Sequence, residues 1–130
     1  MEKFRELFED QDQELERMYE VLNKNFKEIA NNIEHVKVTG RRLSKPVYSG
    51  NTLSTKFAVK VHNTWTGISH SYPDIFNSFK RIIRREFPDE KFYISIDYDN
   101  RKNDNYSFYI VITISKKKFK GTSDSQLFEI

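Results

Sequence analysis

The chain has 130 residues, 37% of them hydrophobic and 32% charged, with no cysteine and a formal net charge of +3. Disulfides and thiolate metal sites are thereby excluded, and no apolar run approaches the ~20 residues of a membrane span. The acidic start Met1-Glu2-Lys3 carries no apolar signal region, so a soluble, cytoplasmic chain is expected, large enough to build a core without staples.

The charge is distributed unevenly. Residues 1–20 carry eight acidic and three basic side chains, a balance of −5, and the remaining residues carry +8. A bipolar chain can fold one pole onto the other or offer each to a different partner. Lysine, asparagine and isoleucine are abundant, as in AT-rich genomes, which points to a bacterial or phage source.

Residues 1–35 read as an N-terminal amphipathic helix with an acidic head, and 36–130 as an α+β body. Phe8, Leu15, Leu22, Ile29 and Val36 recur every seven residues. Two readings follow: a homodimer through a coiled coil of this helix, or a helix docked on its own domain with a projecting acidic end. Polar residues at the companion positions Gln11, Asn25 and Asn32 weaken a zipper and favour docking.

Strand-like segments are predicted over 35–39, 43–48 and 54–62, the last two joined by the turn cluster Ser49-Gly50-Asn51-Thr52. Pro46 places its strand at an edge. The segment 63–70 reads as a loop carrying Trp65. A helix follows from Ser71 to Phe87: Ser71 and Asp74 have capping-box spacing, Pro73 suits the first turn, and Pro88 closes the element. Ile75, Phe76, Phe79, Ile82, Ile83 and Phe87 line its front. Two alternating runs, 92–98 and 106–114, predict an antiparallel hairpin with the second strand central. The residues after Gly121 add a short final strand or anchor the end. The composite is an α+β fold: a long N-terminal helix plus an antiparallel or mixed sheet of about five strands, with one amphipathic helix packed on it.

Little catalytic chemistry is legible. His62-Asn63-Thr64 matches the H-x-T unit of two-histidine phosphoesterases, but no second unit exists. Asp97, Asp99 and Asp104 could hold Mg²⁺, yet the loop lacks the glycine and terminal glutamate of a calcium loop, and turn formation explains the same letters. The glycines are scattered singly and the histidines lack zinc-ligand spacing. A non-enzymatic protein with no cofactor or metal is expected.

The back of the central helix is different. Lys80, Arg81, Arg84 and Arg85 form a basic patch suited to phosphate or carboxylate recognition, against the bland alternative of a solvated face. Arg41, Arg42, Lys116, Lys117, Lys118 and Lys120 are candidates to extend it, and Trp65, Tyr72, Tyr93 and Tyr109 are candidate base-stacking platforms. On the other pole, the acidic helix head, with Glu2, Glu6, Glu9, Asp10, Asp12, Glu14, Glu16 and Glu20, could mimic the phosphates of nucleic acid in a partner's basic groove. Small charged proteins free of motifs are the type that mobile elements use against host nuclease defences, anti-CRISPR proteins among them. By that analogy of type, an inhibitor or accessory factor of a nucleic-acid-handling enzyme is expected. Direct RNA or DNA binding by the basic helix face is the alternative, and a phosphoesterase or nuclease the third reading.

Overall fold

The computed structural model describes residues 2–34, 36–61, 71–99, 107–118 and 126–129, the side chains of 2–12, 61, 107 and 126–129 excepted. The elements run α1 (Glu2–Lys24), α2 (Phe26–Asn31), β1 (Val36–Val38), β2 (Val47–Ser49), β3 (Thr52–Val61), α3 (Tyr72–Glu86), β4 (Tyr93–Asp99), β5 (Ser107–Ser115) and β6 (Gln126–Glu129). The fold is α+β, as the alternation of periodicities predicts.

All strand pairs are antiparallel. The order is β1-β3-β5-β4-β6, with β2 also on β3, so β1 and β2 share one edge position and five strand positions result. β5 is central, between β3 and β4. β2 lies at the edge, and Pro46 falls just before it. Gly50, at φ 59°, makes the tight β2–β3 turn.

All three helices lie on one face of the sheet. The alternating residues Leu53, Phe57 and Val59 of β3, Ile94 and Ile96 of β4, and Phe108, Ile110, Ile112 and Ile114 of β5 meet the helix fronts there. Phe57 is the hinge of this core: its ring meets Phe26 edge-on at 5.4 Å and stacks on Phe79 at 6.3 Å. Each such side chain contributes roughly 1.5–3 kcal/mol by leaving water.

The predicted N-terminal helix is bent into two. Asn25 separates α1 from α2 and its Nδ2 donates to the Val21 carbonyl at 2.8 Å. Backbone bonds run on through the bend, from Asn25 N to Val21 O and from Ile29 N to Asn25 O, both 3.1 Å. Side-chain competition for a backbone carbonyl is a known cause of such bends. From Leu15 onward the seven-residue stripe is used internally: Leu15, Met18, Leu22, Phe26 and Ile29 are all buried in the chain's own core. That part of the stripe is closed to a coiled-coil partner, in favour of the docked reading.

Two local expectations are corrected. Ser71 holds the N-cap position of α3 without a capping hydrogen bond; its Oγ donates instead to the Glu34 carbonyl at 3.3 Å, tying α3 to the connection between α2 and β1. The segment 43–46 is not strand. Its Ser44 N donates to Lys56 O at 2.8 Å, and the Ser44 Oγ accepts from Lys56 N at 3.0 Å, so a side chain replaces one ladder partner.

Candidate functional site

The 3.6-residue period of α3 sends Ile75, Phe79, Ile82 and Ile83 into the core and leaves Arg81, Arg84 and Arg85 exposed. Lys80 is half-buried, its Nζ 5.5 Å from the centre of the Phe76 ring. Arg85 is engaged: its terminal nitrogens lie 3.2 Å from each oxygen of Glu28 and 3.3 Å from Asn25 Oδ1. The hydrogen bond with Glu28 holds its pKa above the ordinary arginine value. Neither Arg81 nor Arg84 takes part in an ion pair among the described residues. An open cavity of about 480 Å³ borders Arg84, lined also by Pro88, Asp89, Glu90 and Lys91.

The expected extensions of this patch sit on other segments of the chain. Lys116 is drawn into an ion pair with Glu14 of α1, beside Glu90, which also lines the cavity at Arg84. Lys117 and Lys118 are exposed. Arg41 and Arg42 are exposed on the loop outside β3, flanked by Thr39 N and Gly40 N on Ala58 O and by Ser44 N on Lys56 O. From α1, the Tyr19 hydroxyl donates to Ser44 O at 3.0 Å and Asn23 Oδ1 accepts from Leu43 N at 2.9 Å. α1 also packs on α3, and so stands between this loop and the α3 arginines.

The acidic pole lies in the first turns of α1. Residues 2–12 continue α1 as helix ahead of Leu15, and at 1.5 Å per residue Glu2 lies about 20 Å along the axis from it. Glu16 and Glu20 are exposed; the side chains of Glu2, Glu6, Glu9, Asp10 and Asp12 fall outside those described. At the base of this segment Glu14 faces Lys116 and the Glu90 carboxyl, while the Arg17 guanidinium lies 5.1 Å from the centre of the Phe87 ring. The hydrogen bond between the carboxyls pushes Glu90 up and Glu14 down, and Lys116 adds to the lowering of Glu14.

No family model, curated protein or solved structure matches this chain. What it does must therefore be read from its surfaces. Among the described residues no three of the His, Cys, Asp and Glu side chains gather as metal ligands, and no helix is long and apolar enough to cross a membrane. His35, His62, His70 and Asp104 lie outside the described residues, as do Trp65 and Lys120. Tyr72 is 2% exposed and belongs to the core, so its ring is closed to a stacking base.

Sequence reading missed one grouping. The sheet face opposite the helices carries Lys37, Lys56 and Lys60, all exposed, with Lys37 directly across from Lys60. Tyr109 lies beside Ala58, and the Lys56 Nζ sits 4.6 Å from the centre of its ring. Across β5, Asp97 and Asp99 occupy the same face on β4, and Asp97 Oδ1 accepts from Tyr98 N at 2.8 Å. The alternation of Lys56 and Lys60 along β3 is visible in the letters; their meeting with Lys37 follows only from the β1–β3 register.

Proposed function

We propose that this protein is a non-enzymatic inhibitor or accessory factor, of phage or mobile-element type, that binds a nucleic-acid-handling enzyme. An anti-defence antagonist such as an anti-CRISPR protein is the kind meant. The acidic first turns of α1 would enter the enzyme's basic groove in place of phosphates, and Arg81 and Arg84 would grip an acidic patch or nucleic acid beside it.

One observation supports this reading above the others. Among the described side chains, those that α1 buries begin at Leu15, and the helix runs on ahead of it to Glu2. The engaged cation of α3, Arg85, is paired with Glu28 of α2, and Lys116 with Glu14; no described ion pair joins the exposed arginines Arg81 and Arg84 to the acidic segment. A helical rod of carboxylates steers toward a positive cleft and gains specificity there.

The test keeps the helix and removes its charge. Wild type and Glu6→Gln/Glu9→Gln/Asp10→Asn/Asp12→Asn are immobilised and offered the heparin-binding fraction of a bacterial lysate. Wild type should retain nucleic-acid-processing enzymes that duplex DNA or RNA elutes, and the neutralised variant should not. Equal retention by both, or retention that nucleic acid fails to displace, refutes the reading. Loss on Arg81→Gln/Arg84→Gln alone, with free nucleic acid sufficient for binding, would favour the direct-binding alternative.

A further inference from the structure

We propose that the open face of the sheet binds single-stranded nucleic acid along β1 and β3, with Lys37, Lys56 and Lys60 holding phosphates and Tyr109 stacking a base. This surface is separate from both the acidic helix and the α3 arginines, and the inference does not rest on the function proposed above.

The first argument is electrostatic. Lys37 and Lys60 are direct cross-strand partners on one face, an arrangement of like charges that weakens a sheet. Lys56 follows on the same face of β3, four residues or about 13 Å from Lys60. None of the three joins an ion pair among the described residues, and Arg41 and Arg42 leave the chain at the same edge. A polyanion lying along β3 relieves this repulsion.

The second argument is shape. Between Lys56 and Lys60 stands Ala58, whose small side chain is opposite Tyr109 and leaves the ring approachable from above. The Lys56 ammonium now lies over that ring, a position a base can take while the ammonium moves to a phosphate. A stacked duplex presents no free base face to such a ring, whereas a single strand does. Asp97 and Asp99, two strands and about 10 Å from β3, repel a backbone that strays across β5 and confine it to the lysine side. Thr52, Ser54 and Thr113 offer hydroxyls on the same face; Ser54 and Thr113 are within 3.0 Å of each other.

Fluorescence anisotropy with labelled oligothymidylate, oligouridylate and a DNA duplex, each of about 12 nucleotides, tests this with the full chain at several salt concentrations. Both single strands should bind; preference for one assigns DNA or RNA. Lys37→Gln/Lys56→Gln/Lys60→Gln should flatten the log–log salt slope by about 2, near 0.7 for each phosphate no longer neutralised. Lys→Arg at the same three positions should restore it. Tyr109→Leu should weaken binding roughly tenfold with the slope unchanged. The acidic-helix and α3 variants above should bind as wild type does. No binding at low salt, duplex bound as tightly as single strand, an unaltered slope in the glutamine variant, or full affinity in Tyr109→Leu overturns the proposal. Circular dichroism establishes that each variant is folded.

Discussion

Arg85 clasps Glu28 through both terminal guanidinium nitrogens, each 3.2 Å from a carboxylate oxygen. The pair ties the end of α3 to α2, and among the described residues it is the only ion pair between an arginine of the α3 back and an acid outside α3. Its side chains remain 46% and 39% exposed, so solvent screens them. Glu28→Gln is expected to leave the thermal midpoint nearly unchanged while freeing Arg85 as a third available cation beside Arg81 and Arg84. Differential scanning calorimetry checks the first outcome; faster modification of Arg85 by an arginine-specific dicarbonyl reagent checks the second.

Truncation separates the acidic segment from the fold. Removing residues 1–12 leaves Leu15, Met18 and Leu22 in the core and should preserve the circular dichroism of the body and its cooperative melt. Removing residues 1–20 deletes Leu15 and Met18, which are 1% and 0% exposed, together with the Tyr19 bond to the 43–44 backbone. Two buried side chains of this size are worth about 4–10 kcal/mol, comparable with the whole stability of a small domain. The longer deletion should therefore melt early or fail to fold.

Phe57→Ala tests the packing at the core centre. The ring bridges Phe26 and Phe79, so its loss opens a cavity between the helix layer and the sheet. A destabilisation of about 3–5 kcal/mol is expected by urea denaturation, and Phe57→Leu should recover part of it.

The Glu14–Glu90 contact makes stability depend on acidity in two opposite limbs. Glu90 is raised by its hydrogen bond with Glu14, so its contribution is present below its unfolded pKa and lost as pH rises through the folded value. Glu14 is lowered, so its contribution is present above its unfolded pKa and lost as pH falls through the folded value. Stability should rise as pH falls through the folded value of Glu90 and then fall as Glu14 takes up a proton and loses its ion pair with Lys116. Glu90→Gln should abolish the rising limb and leave the falling one, read as urea midpoints across a pH series.

Gly50→Ala probes the β2–β3 turn. A Cβ at Gly50 meets no atom within 4 Å, so the cost is confined to the positive φ of 59°. About 1–2 kcal/mol is expected, and Gly50→Asn should cost less because asparagine tolerates this region. An equal loss in both variants would place the cost in contacts instead.

The local elements are legible because their causes are local. The helical period of Ile75 to Ile83 and the alternation of Phe57 to Val61 depend only on neighbours in the chain, and so does the Gly50 turn. The acidic head, too, stands in the letters. What joins distant segments cannot be read there. Lys116 meets Glu14 across 102 positions, and the alternation of a strand gives its faces but not its partner. The break between α1 and α2 falls at Asn25, whose side-chain amide bonds the Val21 carbonyl. Sequence alone thus decided which residues are apolar, periodic and charged. Register and helix docking decided which charges meet, because electrostatic neighbours across a sheet are chosen by strand pairing, a property no single strand contains.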